Sequence, residues 1–212
     1  MKALLFINGE PPKALPDYRD YGIIACTDGA FHYLKEMGFP LSKLDFVSGD
    51  FDSHSGADEP IYHEKFIHTP DQNKTDFDKA LEILCNRGAT SVAVFGASGG
   101  EMDHFLGNLT VAFRHKNHLN IRFFDNHSEY FFVENDTLLS GVKGRMISIY
   151  PFPSAEKVTT DGLNWELSSE SLSMTSSLST RNFAVKDSVR IQYLSGRSEE
   201  HTSELQSLVI IS

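Results

Sequence analysis

"VFGASGGEMDHFLGNL", residues 94–109, is an apolar run that breaks at a glycine-rich loop and resumes with apolar residues at helical spacing. Strand, loop and helix in that order make half of a parallel crossover unit, so this stretch points to an α/β fold. Gly96, Gly99 and Gly100 let the backbone approach a nucleotide closely. They match neither GxxxxGK[ST] nor GxGxxG, and a Gly-rich loop alone is weak evidence. Asp103 opens the following helix, where an N-cap is the plain alternative to a functional carboxylate. For His104 the plain alternative to catalysis is a hydrogen-bonded structural imidazole.

Outward from this stretch the same alternation recurs. "ALLFIN", "GIIACT", "DFVSG", "KFIHT", "SVAVFG" and "IRFFD" are short β-rich runs, separated by helices expected over Ala30 to Met37, Thr75 to Asn86, and Asp103 to roughly His115. Residues 1–127 are therefore expected to form a three-layer α/β domain with a mostly parallel sheet. From about Ser128 the texture changes to short extended segments such as "EYFFVEN", "GRMISIYPFP", "KVTTDGLNWELS" and "DSVRIQYLSG", broken by Gly, Pro, Asn and Ser. Residues 128–212 are expected to be an all-β sandwich or barrel. The polar stretch "RSEEHTSELQS", residues 197–207, lacks either periodicity and interrupts an expected hairpin from "VRIQYLSG" into "LVIIS". It reads as a foreign insertion and resembles the conceptual translation of a sequencing-library adapter.

A chain of 212 residues with 40% hydrophobic and 23% charged residues has the composition of a folded globular protein. Its formal net charge of -10, with no Lys/Arg-rich run, argues against a nucleic-acid partner held through phosphates. Cys26 and Cys85 are far apart and lack CxxC spacing, which fits a reduced cytoplasm. The apolar run at the N-terminus is too short for a signal h-region, and no stretch approaches 18 apolar residues. No membrane partner is expected. Nine His residues are scattered without HExxH spacing, so a zinc site is not indicated.

"SGDFDSHSG", residues 48–56, places Asp50 and Asp52 just after a strand, at the carboxyl end where open α/β sheets bind ligands. An Asx-type turn is the plain alternative. Two like charges ~4 Å apart repel by roughly 4 kcal/mol at an effective dielectric of ~20, which a cation would relieve. In "TPDQNKTDFDKALEIL", residues 69–84, Asp71, Gln72, Lys74, Thr75 and Asp76 gather at a helix N-terminus. Free N–H groups favour phosphate there, and a capped surface helix is the alternative. Asp50 and Asp52, Asp76, and Asp103 thus come from three segments that each follow a strand, so all should open on one rim. Several carboxylates beside a Gly-rich loop suit Mg²⁺ carried with substrate phosphates.

At these residues the sequence resembles thiamine pyrophosphokinase. "GDFDS" (49–53), "PDQNKTDFDKAL" (70–81) and "GASGGEMDHFLGN" (96–108) are similar to the family's catalytic-domain motifs in order and spacing, and "ACTDGAFHYL" (25–34) to its early Asp-Gly segment. "TDGLNWEL" (160–167) and "STRNFAV" (179–185) resemble the signatures of its C-terminal β domain. The resemblance implies transfer of the pyrophosphoryl group of ATP to the hydroxyl of thiamine, giving thiamine diphosphate and AMP. It also implies that Asp50, Asp52, Asp76 and Asp103 hold Mg²⁺ or the phosphates it bridges, with Asp28 lining the site. Gln72 and Thr75 would contact the transferred group or thiamine. Trp165 and Asn182 would belong to a thiamine pocket formed between the subunits of a homodimer. An exposed indole suits a flat cationic ring, whereas a core anchor is the plain alternative for a chain's only Trp.

Three departures stand out. The family often has Arg where this chain has Glu101, and Asp where it has Asn73; Arg181 stands where a small residue is more usual. Exchanging Arg for Glu removes a phosphate fork, leaving Lys74, Lys79 and the metal as the nearest candidates for charge stabilisation. Two other functions stay open on the sequence: a non-catalytic thiamine or nucleotide-binding module, and a Mg²⁺-dependent phosphohydrolase.

Overall fold

The computed structural model describes residues 1–50, 64–194 and 207–212. Its chain divides into two compact units, Met1–Asn126 and His127–Ser212. The first carries six strands, β1 (Lys2–Phe6), β2 (Ile23–Thr27), β3 (Phe46–Gly49), β4 (Phe66–His68), β5 (Ser91–Phe95) and β6 (Asn120–Phe124). They pair in parallel in the order β6-β5-β1-β2-β3-β4. All six correspond to apolar runs visible in the sequence. In β2 every residue is buried, as a parallel strand covered on both faces requires, and this is why "IIACT" shows no polar alternation.

Three helices connect the strands: α1 (Asp28–Glu36), α2 (Asp76–Asn86) and α3 (Met102–His115). α1 starts directly at the end of β2, two residues before its expected start. Its buried Ala30, Phe31 and Leu34 cluster with Leu4, Phe6, Ile24, Cys26 and Val47 of the strands. α2 follows the capping pattern read from the sequence, since Thr75 Oγ1 accepts the Asp78 N–H at 3.2 Å. Its apolar stripe of Phe77, Ala80, Leu81 and Leu84 is buried, each Leu or Phe contributing about 1.5–3 kcal/mol of transfer free energy. Gly88, at φ +82°, takes the left-handed position that ends this helix. At α3 the N-cap is Glu101 rather than Asp103, and its side chain makes no cap bond. Asp103 lies inside the first turn, where its Oδ1 accepts the His104 N–H at 2.9 Å.

The second unit holds two sets of antiparallel strands. In one, β12 (Ser179–Phe183) pairs with β9 (Met146–Pro151), β9 with β14 (Ser207–Ile211), and β14 with β7 (Glu129–Phe132). In the other the order is β11 (Glu170–Ser173), β10 (Ser154–Asp161), β13 (Ser188–Leu194) and β8 (Asp136–Ser140). β13 alternates strictly, burying Val189, Ile191 and Tyr193 in one core with Val158, Leu172 and Ile149 while Arg190 and Gln192 face solvent.

The expected hairpin from "VRIQYLSG" into "LVIIS" does not form. β13 pairs with β10 and β8, whereas β14 inserts between β9 and β7. Adjacency in sequence could not reveal this, because what places β14 is its burial: Ser207, Leu208, Val209 and Ile211 are all covered. A strand flanked on both sides suits that pattern better than the arm of a hairpin. All of the suspected insertion except Ser207 lies outside the described residues.

Candidate functional site

In the first unit the strand order reverses at β1, with β2, β3 and β4 to one side and β5 and β6 to the other. From β1 the chain continues toward β2 and from β5 toward β6, in opposite directions along the sheet, and ligands bind at such a switch of strand order in folds of this kind. A cavity of about 320 Å³ occupies that position. Asn8 and Gly9 from the loop after β1 line it, with Gly96, Ser98 and Gly100 from the loop after β5.

Glycines set the approach of these two loops. A Cβ on Gly9 would lie 2.3 Å from the Gly96 carbonyl oxygen, and Gly96 itself, at φ +78°, has the Ile7 carbonyl 2.1 Å from its Cβ position. The Glu10 N–H donates to Ser98 O at 2.8 Å and locks the pair. Gly100 lines the cavity, whereas Gly99 packs against the Glu10 side chain. Asn8 and Gly9 escaped the sequence reading; the signal was "NGE" directly after an apolar strand, at what proves to be the switch of strand order.

Carboxylates enter the same cavity from three elements. Asp28, the first residue of α1, is buried, and its Oδ1 accepts the Gly29 N–H at 2.7 Å. Asp76 comes from the first turn of α2, beside Thr75, and Asp103 from the first turn of α3. Asp50 follows β3 and is linked to Gln72 through Gln72 Nε2 and Asp50 Oδ2 at 3.4 Å. Gly49, just before it, leaves no room for a Cβ beside the Asp28 carboxylate, the gap to Oδ2 being 2.2 Å. Asp52 lies outside the described residues. Thr27 Oγ1, buried in the cavity wall, has no hydrogen-bond partner among the described residues. Just behind it, burial and then the charge of Asp28 push the Cys26 thiol well up from its ordinary range.

The two lysines near this rim are already engaged. Lys79 is buried, with Nζ 2.7 Å from Asp76 Oδ1 and donating to Thr69 O at 2.8 Å. Lys74 Nζ pairs with Glu82 at 2.5 Å. Asp78, also buried, meets Arg114 and His115 of α3 at 2.7 Å each, a pairing that ties the two helices together. Asp71 accepts both the backbone N–H and the side-chain amide of Asn73. These bonds from Asn73 hold the Asp71 carboxyl below the usual carboxylate range.

In the second unit Trp165 is 61% exposed and meets Phe183 edge to face at 5.6 Å. Asn182 is buried beside them.

Two family models match the chain in sequence order. Residues 18–123 match the thiamin pyrophosphokinase catalytic domain and residues 134–197 the thiamin pyrophosphokinase vitamin B1 binding domain. The chain belongs to the thiamine pyrophosphokinase family. A thiamine pyrophosphokinase of Bacillus subtilis is 26% identical over 198 residues, covering 86% of this chain and 89% of the relative. Thiamine pyrophosphokinase 3 of Oryza sativa is 27% identical over 216 residues, covering 88% and 80%. Among solved structures, the thiamin pyrophosphokinase of Geobacillus thermodenitrificans superposes with a TM-score of 0.80 over 100% of this chain and 97% of its own, at 22% identity. That likeness is one of fold, a mixed α/β chain with a large sheet and a second antiparallel sheet.

Within the thiamine pyrophosphokinase catalytic match, Glu101 is exposed at the cavity edge with Oε2 3.6 Å from His104 Nε2. One ligand atom each from Glu101, Asp103 and His104 lie within 4.8 Å of one another, close enough to share a cation. Lys74 and Lys79, expected to supply positive charge in place of an arginine, are spent on Glu82 and Asp76. Among the described residues the cavity lining holds no Lys or Arg.

Proposed function

We propose that this chain is an ATP-dependent thiamine diphosphokinase, moving the pyrophosphoryl group of ATP to the hydroxyl of thiamine and releasing AMP. The observation that carries the reading is the cavity at the reversal of strand order, where Asp28, Asp76 and Asp103 converge between two glycine-edged loops. We read the first unit as the catalytic domain, a three-layer α/β arrangement, and the second as the thiamine-binding domain, a β sandwich. The enzyme is cytoplasmic, in keeping with two cysteines that lie far apart without CxxC spacing, and acts as a homodimer with the thiamine pocket between subunits, as the family resemblance implies.

The donor set fits Mg²⁺, since the described cavity lining offers hard carboxylate oxygens from Asp28, Asp76 and Asp103. Asp50, Asp76 and Asp103, with Asp52, would hold the metal, which supplies neutralisation of the triphosphate. The chain's own groups do the remaining work. Backbone N–H groups at the start of α2 and in the Gly96–Gly100 loop face phosphate oxygens. The Thr27 hydroxyl, unpartnered among the described residues, donates to a ligand oxygen. Gln72 and Thr75 align the transferred group, and Asp76 or Asp103 receives the hydroxyl proton. Trp165 offers the thiamine ring an exposed aromatic face. Positioning and electrostatics account for most of the acceleration, as in phosphoryl transfer generally.

The test is incubation with ATP, Mg²⁺ and thiamine, following AMP and thiamine diphosphate, with Asp103→Ala and Asp50→Ala as controls. Formation of both products by the wild type, and none by folded variants, is the expected result. Binding of thiamine and ATP without AMP marks a non-catalytic module instead. Release of phosphate or diphosphate without thiamine marks a phosphohydrolase.

A further inference from the structure

Asn182 sits in β12 between Arg181, whose φ of +56° lies in the left-handed region, and the partly exposed Phe183. The pairing of β12 with β9 slips at this point, between Ser179 and Asn182. The Asn182 side chain is buried, at 2% exposure, while its neighbours Arg181 and Phe183 are exposed. The carboxamide is then spent on main chain. Oδ1 accepts the Trp165 N–H at 3.1 Å and the Phe183 N–H at 3.0 Å, and Nδ2 donates to the Trp165 carbonyl at 2.6 Å. Asn164 N–H donates to the Phe183 carbonyl at 2.9 Å, closing a second link between the same two segments.

Both backbone groups of Trp165 are therefore held by one buried side chain, whereas the indole is exposed and fixed edge to face against Phe183 at an interplanar angle of 83°. A carboxamide with three main-chain bonds and almost no accessible surface has little left to offer a ligand. We propose that Asn182 is a positioning residue for thiamine, setting the aromatic corner of Trp165 and Phe183 without touching the ligand itself. This rests on the reading that the second unit takes the thiamine ring. The chemistry it prepares is an aromatic surface for a flat cationic heterocycle, with both backbone groups of Trp165 held by Asn182.

Trp165 is the only tryptophan in the chain, so its emission reports this corner directly. The experiment compares wild type, Asn182→Ala and Asn182→Asp, the latter keeping the acceptor oxygen but losing the Nδ2 donor. Without ligand, both variants should show lower Trp165 anisotropy and an acrylamide quenching constant raised about two-fold. In turnover, thiamine KM should rise about ten-fold, with ATP KM unchanged. In a Trp165→Phe background, Asn182→Ala should add nearly nothing to thiamine KM, because its effect passes through the indole. Raised thiamine KM with wild-type emission would make Asn182 a direct contact and overturn the proposal, as would full additivity with Trp165→Phe. The ligand-free emission decides the link between the two residues even if no thiamine diphosphate is ever formed, so failure of the catalytic reading remains distinguishable.

Discussion

Lys79 Nζ lies 2.7 Å from Asp76 Oδ1 and donates to the carbonyl of Thr69 at 2.8 Å, so one buried ammonium pins both the first turn of α2 and the loop that leads into it. The spacing of three residues puts both side chains on one helix face. Replacing Lys79 with Met leaves the Thr69 carbonyl without its donor and Asp76 without its counter-charge. We expect a loss of about 1–3 kcal/mol in urea unfolding. We also expect a fall in kcat of about 10- to 100-fold from displaced Asp76. A variant with wild-type midpoint and wild-type kcat would show that this pair is dispensable.

Gly9 faces the Gly96 carbonyl so closely that a methyl group has nowhere to go except through backbone. Gly9→Ala should push apart the two loops that frame the cavity. The expected outcome is a destabilisation of about 1–3 kcal/mol with ATP KM raised more than thiamine KM. Gly38→Ala meets no neighbouring atom but carries its own φ penalty at +73°, so it isolates backbone strain from loop displacement. Equal ATP KM values in both variants would argue that the close approach of Gly9 is unimportant.

Thr27 carries a buried hydroxyl without a partner among the described residues, and leaving such a group unpaired costs about 1–3 kcal/mol. Thr27→Val removes the hydroxyl at nearly constant shape. The ligand-free protein should become more stable while ATP KM rises, and the stabilisation by saturating ATP and Mg²⁺ in a thermal melt should shrink. If the variant is destabilised and binds ATP normally, the hydroxyl serves the fold and not the ligand.

Glu101 brings a negative charge to the rim of a cavity whose described lining has no Lys or Arg. Glu101→Arg reverses that charge beside the phosphates. ATP KM should fall about two- to five-fold at low ionic strength, and the gain should fade as salt is raised toward 1 M, where the screening length shrinks to about 3 Å. An unchanged KM at low salt would show that Glu101 does not sense the triphosphate.

Much of this protein was readable along the chain. The unbroken apolar run "IIACT", the helical spacing of "DFDKALEIL" and the period-2 alternation of "SVRIQYL" identify strand or helix because local backbone geometry decides which residues share a face. The Thr75 cap was legible for the same reason: its bond to Asp78 spans three residues. Placing Asp76 and Asp103 at the ends of strand-following loops needed only the strand-loop-helix order. What the pattern could not reveal is non-local pairing. That β14 enters between β9 and β7 rather than returning on β13 depends on which surfaces bury it. That Asn8 and Gly9 frame the cavity depends on β5 lying beside β1, strands separated by most of the first unit. That Lys79 serves Asp76 and Asn182 serves Trp165 depends on which side chains end up away from water, where an amide or ammonium must find a partner. Short-range sterics write the elements into the sequence, whereas the partners of buried polar groups are chosen only when distant segments close over them.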